Sequence, residues 1–471
     1  MDAALPSTEA LAAQAAARPA LIPPFPPSLR VANTLGFLGA VRRNVLESFH
    51  QIAYDDLIVR GRVLGRPVTL VSDPAGVRRV LVENAANYVK PPVMVRIVRP
   101  FTGDGLLTTE GDAWRAQRRH VAHAFTPASI GALLPRFEEA AEGMLTGLAG
   151  ADDADLVAVF DRATLDAVTG ALFSGAGSDR RERLNTLIRS YVGDRRGPGR
   201  PGMLDFIARR PDDFTAFQGR RRAWQARWFA EVDSVVVARR LEGARPEPDL
   251  LDQLLAARDS SGQAIDPEEV RSQVATFIAA GFETTARLLF WTAYLLALDP
   301  AEQARVRTEL RATPKRPTSL DDLSRWPGLR CVLQETLRLY PTAPVIARVT
   351  VKDDVIAGEQ VRAGEQVTIS PWVIHRHRRL WNEPTAFRPD RFEGKPQAHL
   401  TGGAYLPFSL GPRICIGATF AMAEATILLA ALLNRYELSL QSDRQVMPIA
   451  NASIRPDHAP RFRLTPVRTA A

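Results

Sequence analysis

Cysteine is nearly missing from this 471-residue sequence, which has only Cys331 and Cys415. They lie far apart, so a disulfide framework is excluded and a reducing, cytoplasmic setting is expected. Histidine is scarce too. His120 and His123 share a predicted helix face, and His375 and His377 are close in sequence. No third ligand stands at metal-site spacing, so all four read as structural. No apolar run reaches the ~20 residues that cross a bilayer. The longest, Leu288–Leu298, is too short, and Glu9, Gln14 and Arg18 interrupt the Ala-rich start. That start lacks the basic segment and apolar core of a signal peptide. A soluble protein without a transmembrane anchor is expected, and no internal repeat stands out.

What is present suits a globular enzyme. Hydrophobic residues make up 46% and charged residues 24%, enough to bury a large core. The net charge is +8, carried almost wholly by arginine, and offers a basic face to an acidic partner. Arg220-Arg221-Arg222 falls on a predicted helix and reads as a solvated face, so no nucleic-acid partner is expected.

Residues 1–27 end in Ile22-Pro23-Pro24-Phe25-Pro26-Pro27, an extended arm, and residues 28–471 read as one domain. Strand character spans Arg62–Ser72 around a turn at Gly65-Arg66-Pro67, and Asp73-Pro74 opens a short helix through Glu83. The Pro-, Gly- and Val-rich stretch Asn84–Glu110 reads as a long loop. Helices follow at Asp112–Phe125, over Leu133–Gly175 and at Asp213–Glu242, with a flexible connection at Arg195–Gly202. Asp266-Pro267-Glu268-Glu269 is a helix start: Asp caps, Pro occupies the first turn and acids complement the dipole. That helix can run to Asp299-Pro300, some ~45–50 Å, and must pass through the protein centre. Helices at 300–312 and 328–340, strands at Val345–Val351 and Val361–Ile369, and an irregular segment His375–Leu406 come next. A helix at Ala418–Asn434 and an alternating tail, Tyr436–Pro466, close the chain. The fold class is mainly α with a small β portion.

Three stretches carry chemistry. In Phe408-Ser409-Leu410-Gly411-Pro412-Arg413-Ile414-Cys415-Ile416-Gly417, a cysteine sits between glycines just before a helix. Gly411 and Gly417 permit backbone that a Cβ would obstruct, letting the loop lie against something planar. The helix start and Arg413 favour a thiolate, which in a buried place needs such donors or a metal. In Ala280-Gly281-Phe282-Glu283-Thr284-Thr285, glycine, acid and threonines interrupt an apolar helix. A threonine bonding back to a carbonyl, with Gly281 leaving room, would make a groove for a small molecule beside an acid and an alcohol. Glu335-Thr336-Leu337-Arg338 sets an acid and a base three apart on one helix face.

The first stretch resembles the haem-binding signature F-x-x-G-x-R-x-C-x-G of the cytochrome P-450 thiolate-haem monooxygenases, matching at Phe408, Gly411, Arg413, Cys415 and Gly417. The second is similar to that family's oxygen-activating [AG]-G-x-[DE]-T-T, with Glu283 where many members have Asp. Glu335 and Arg338 resemble its E-x-x-R, and Pro389-Asp390-Arg391-Phe392 its P-x-R-F, with Asp390 where Glu is frequent. Trp114 and Arg118 resemble its W-x-x-x-R.

The resemblance covers nearly the whole chain and implies a cytochrome P-450 fold, with a long central oxygen-groove helix and a cysteine-loop haem site. It implies haem b ligated by Cys415, with Trp114, Arg118, Arg348 and Arg413 on its propionates. Dioxygen would bind in the groove at Ala280 and Gly281, where Thr284 positions a proton relay fed by Glu283. Glu335, Arg338 and Arg391 would be a buried charged cluster fixing the cysteine loop, and Cys331 a packing residue. The implied reaction is hydroxylation of an apolar small molecule, possibly fatty-acid-like. Its electrons would come from NAD(P)H through a separate ferredoxin or flavodoxin type donor with its reductase. A monomer without a fused reductase is expected. The alternatives are a peroxide-using thiolate-haem peroxygenase or isomerase, a branch that typically lacks the acid–alcohol pair, and a haem sensor without turnover.

Overall fold

The computed structural model describes residues 21–28, 39–41, 43–63, 65–174, 178–192, 210–211, 219–243, 245, 247–259, 261–313, 316–394, 402–450 and 452–467. In chain order, a hairpin of β1 (Ile58–Val63) and β2 (Arg66–Val71) leads to the short helix α1 (Pro74–Arg78) and a π-turn at Arg79–Glu83. Then come β3 (Tyr88–Val89), α2 (Pro92–Thr102), α3 (Gly111–Ala122) and α4 (Leu134–Gly147). Next are β4 (Asp153–Asp155), α5 (Leu156–Leu172), α6 (Ser178–Val192), α7 (Gly219–Glu242) and α8 (Leu250–Ala256). The central helix α9 (Pro267–Leu298) is followed by α10 (Pro300–Ala312) and α11 (Pro327–Leu339). Strands β5 (Ile346–Thr350), β6 (Asp354–Ile356), β7 (Glu359–Val361) and β8 (Gln366–Ile369) precede α12 (Ala418–Arg435). The chain closes with β9 (Tyr436–Leu440), β10 (Pro448–Ala450), β11 (Ile454–Pro456) and β12 (Arg461–Pro466).

Helix α9 starts where its sequence says it should. The Asp266 carboxylate accepts the Glu268 N–H at 2.7 Å and Pro267 takes the first turn, where a missing N–H costs nothing. Its 32 residues form one unbroken helix packed against α2, α5, α11 and α12. Apolar residues on all its faces make it a core helix rather than an amphipathic one. Helix α12 is long and apolar enough to cross a membrane by length and composition, which the sequence reading did not expect. Its apolar residues are instead spent on α9, α4 and α10 in the interior.

The main sheet runs β1-β2-β8-β5-β3, antiparallel except where β2 meets β8. Its last pairing matters for the site. Val89 lies opposite Val349, so one residue further on Lys90 comes level with Arg348.

Several expectations change. Asn84–Glu110 is no loop, for it contains β3 and the eleven-residue α2. Its prolines misled: Pro92 sits in the permissive first turn and Pro100 lies in the last, two residues before the helix ends. Leu133–Gly175 is two helices divided at Gly150, whose φ of 75° suits glycine, and by β4. Val361–Ile369 is likewise two strands, with a turn at Gly364 (φ 81°). Arg221 is buried, unlike the exposed Arg220 and Arg222, so the arginine triplet is only partly a solvated face. Within the arm, Leu21 is bridged to Phe387, and residues 22–28 form neither helix nor strand. Residues 1–20, the connection Arg195–Gly202 and the start of the Asp213–Glu242 helix lie outside the described residues.

Candidate active site

The cysteine loop is closed by one backbone bond: the Cys415 N–H donates to the Phe408 carbonyl at 2.9 Å. Gly411 is required twice over. Its φ is 75°, and a Cβ there would overlap the Leu81 carbonyl oxygen of the π-turn. The glycine thus fits the loop onto its own protein. Gly417 differs from expectation, since its φ of −87° is ordinary and a Cβ would meet Cys415 Sγ and the Phe125 ring at 4.0 Å, a normal contact. Phe125 packs on Phe277 of α9 at 4.9 Å, joining the loop to the central helix.

Cys415 is accessible to solvent yet densely surrounded by protein, and that burial raises its thiol pKa. The Gly417 N–H and Arg118 pull the other way without overcoming it. The helix start and Arg413 therefore do not make a thiolate by themselves, as the sequence had led one to expect. A bound metal would have to hold it. Cys331 behaves as predicted: it is 1% exposed in a cluster with Trp381 and Phe392, its thiol pushed up to about 11.

Arg413 stacks over the Trp114 ring at 4.2 Å and ion-pairs with Glu110. Lys90 donates from Nζ to the Thr109 carbonyl at 2.8 Å and to the same Glu110 at 3.2 Å. Burial, reinforced by Arg413, lowers the Lys90 pKa to about 8 against the pull of Glu110. Arg348 makes one side-chain bond, from Nη1 to its neighbour Ala347 at 2.8 Å. Burial first and Arg413 second bring its pKa down to about 10. Three cations thus share one carboxylate, leaving a surplus of two positive charges. A dianion fits that surplus, and the two propionates of a haem are such a dianion. Arg118, one helical turn after Trp114, is half buried and senses Cys415.

Lys90 lies inside the stretch Asn84–Glu110 and Glu110 ends it, and residues of an expected loop carry no pattern that pairs them with a site. Their one signal was the rarity of lysine in an arginine-rich chain.

On α9, Ala280 is exposed and Thr284 half-buried, one turn apart on a helix otherwise largely buried. The Thr284 hydroxyl donates to the Ala280 carbonyl at 2.6 Å, the back-bond expected of it. Gly281 does something else. A Cβ there would meet Val168 of α5 at 3.0 Å, so the glycine lets two helices approach. Glu283 accepts a hydrogen bond from Ser453 at 2.6 Å, a residue 170 positions away in the β10–β11 turn.

In the charged cluster Glu335 and Arg338 are fully buried and Arg391 partly so. Arg338 Nε and Nη2 donate to the two Glu335 oxygens at 2.7 and 2.8 Å, and its remaining N–H groups reach the His375, Pro384 and Ala386 carbonyls. Arg391 Nε donates to Glu335 at 3.2 Å. The link to the cysteine loop passes through His375. Its Nε2 accepts the Leu406 N–H at 2.7 Å, which leaves Nδ1 as the donor to the Arg338 carbonyl at 3.1 Å. Burial and then Arg338 lower its pKa to about 3, so it stays neutral. His120 and His123 bind Glu269 and the Gln253 carbonyl separately. Among the described residues no group of side chains forms a metal-binding cluster.

A cavity of about 350 Å³ lies among α2, α7 and the start of α9, away from these residues. Its five arginines face four carboxylates, so its field has little preference for either sign.

Residues 23–462 match the family model for Cytochrome P450, and the chain belongs to that family. It is a cytochrome P450 monooxygenase, an enzyme with haem held by a cysteine thiolate. A putative cytochrome P450 132 of Mycobacterium tuberculosis (strain CDC 1551 / Oshkosh) is 30% identical, over 90% of this chain and 90% of its own. A human ultra-long-chain fatty acid omega-hydroxylase is 27% identical, over 86% of this chain and 79% of its own. The fold is similar to the crystal structure of a cytochrome P450DA heme domain. The TM-score is 0.76 at 24% identity, covering 96% of this chain and 99% of that one.

Proposed function

We propose that this cytochrome P450 hydroxylates an aliphatic, fatty-acid-like substrate, with Cys415 as the axial ligand of its haem b. The observation that carries the reading is the cysteine loop lying beside cations that outnumber their carboxylate by two. Haem with its thiolate supplies activation of dioxygen and insertion of one oxygen atom into a C–H bond. Lys90, Trp114, Arg118, Arg348 and Arg413 hold its propionates. Phe408 and Gly417 frame the ligand, while Glu335, Arg338 and Arg391 position the loop through His375. Thr284 holds a proton at Oγ1 above Ala280 and Gly281. Glu283, anchored by Ser453, returns it.

Electrons from NAD(P)H reach the site through a ferredoxin or flavodoxin type donor and its reductase. The chain works as a cytoplasmic monomer with one haem domain over residues 28–471. The fatty-acid-like substrate is favoured by the similarity to an omega-hydroxylase, whereas the charge-balanced cavity selects no anionic end.

The test is spectroscopic. The reduced carbonyl form should show the strongly red-shifted Soret band of a thiolate haem, and Cys415→His should move it to the histidine-type position. An unchanged band in that variant would sink the assignment. Long-chain fatty acids should displace the haem water in binding spectra where aromatics and steroids of similar size do not. Product formed with a surrogate redox pair, and not with peroxide alone, sets the reaction apart from a peroxygenase.

A further inference from the structure

Glu424 lies on α12, nine residues after Cys415, and is 0% exposed. It sits between Ala423 and Ala425 on a helix packed against α9. Neither carboxyl oxygen has a protein partner of ordinary hydrogen-bond geometry. A carboxylate anion in that position would be costly enough that the group takes up a proton instead. Burial indeed raises its pKa well above the carboxylate range, and the one opposing influence is the hydroxyl of Thr285 on α9.

Thr285 departs from a pattern. Thr284 and Thr292 on the same helix donate to the carbonyls four residues back, at 2.6 and 2.8 Å. Thr336 and Thr426 do the same on α11 and α12. Thr285 is 1% exposed, yet its hydroxyl has no bond to Gly281 or to any other group. A buried hydroxyl and a buried acid, each unsatisfied and side by side, are complementary: the acid's C=O can accept the Thr285 O–H, the proton that a back-bond to Gly281 would use. Leaving either buried group unpaired is costly.

We propose that Glu424 is a positioning residue for the oxygen groove: as a neutral acid it holds the Thr285 hydroxyl away from the Gly281 carbonyl. Back-bonded threonines bend helices. A second back-bond at Gly281, directly beside the one from Thr284 to Ala280, would tilt the turn that carries Thr284 and Glu283. Holding Thr285 across the α9–α12 interface keeps that turn straight. The same contact ties the groove to the helix that follows the cysteine loop.

This rests on the groove reading above, so the experiment separates the two. The infrared difference spectrum of the parent minus Glu424→Gln should show the C=O stretch of a protonated carboxyl. Thr285→Val should shift that band, because its hydrogen-bond partner is gone. This readout does not depend on turnover. Coupling is then measured as product per NAD(P)H. Glu424→Leu should lose coupling at unchanged haem content, while Glu424→Gln, whose amide oxygen can still accept, should retain it. The Thr285→Val/Glu424→Leu double variant should couple no worse than Thr285→Val alone. No protonated-acid band, a band indifferent to Thr285→Val, full coupling in Glu424→Leu or a further loss in the double variant would each overturn the proposal. Thr284→Ala, run in parallel, should drain electrons into peroxide. Full coupling there would count against the Thr284 relay and leave the infrared test of Glu424 standing.

Discussion

The Arg413 guanidinium lies 4.2 Å over the Trp114 ring while it pairs with Glu110. The contact restrains a cation two residues before Cys415, which the proposed function assigns to a propionate. Trp114→Ala removes that support, worth about 0.5–2 kcal/mol. The purified variant should hold less haem per chain than the parent, and Arg413→Lys should do no better, since lysine lacks the planar fork. Equal haem-to-protein ratios in parent and variants would show the stack to be idle.

Lys90 predicts a pH dependence whose sign is fixed. Its pKa in the folded protein is about 8, below the 10.5 of a free lysine. Between those values the unfolded chain binds the extra proton, so the haem-free protein should gain stability as pH rises, up to ~3 kcal/mol in all. Haem affinity should move oppositely, weakening as pH passes about 8 and Lys90 loses the charge that a propionate needs. Lys90→Met should flatten both slopes, measured by urea unfolding and by haem transfer to an acceptor. Parallel slopes in parent and variant would remove Lys90 from the site.

Arg338 has five described hydrogen bonds, all inside the protein. Arg338→Met strands the Glu335 charge and three carbonyls, and should destabilise the fold by about 3–5 kcal/mol. Haem should be lost before the helices melt, because the cluster reaches the cysteine loop through His375 and Leu406. Simultaneous loss of haem and helix signal on urea titration would show no special link to the loop.

Docking of an acidic donor is predicted on helix α3. Arg119 is exposed, and Arg115 is exposed though paired with Asp112 at 2.5 Å. Arg119→Glu should slow first-electron transfer from an acidic ferredoxin at low salt, and Arg115→Glu should do so less because its charge is already partly neutralised. Both effects should fade as ionic strength rises. Stopped-flow reduction across a salt series tests this, and a flat response in parent and variants would exclude the face.

The stretches legible from residue order were those whose partners lie within one loop or one helical turn. Phe408 to Cys415 closes on itself through a single backbone bond, Ala280 to Thr284 through one back-bond, and Glu335 to Arg338 through one turn of α11. Short-range geometry follows from chain stereochemistry, so spacing alone determined these, together with the start of α9 at Asp266. The tertiary structure decided which distant groups come together: Lys90 level with Arg348 across β3 and β5, Ser453 against Glu283, Glu424 beside Thr285. It also decided what surrounds the glycines, since a Cβ at Gly281 would meet Val168 and one at Gly411 would meet Leu81. The burial that raises the Cys415 thiol pKa belongs to the same level. Burial is a property of everything packed around an atom, and no local pattern of residues encodes it.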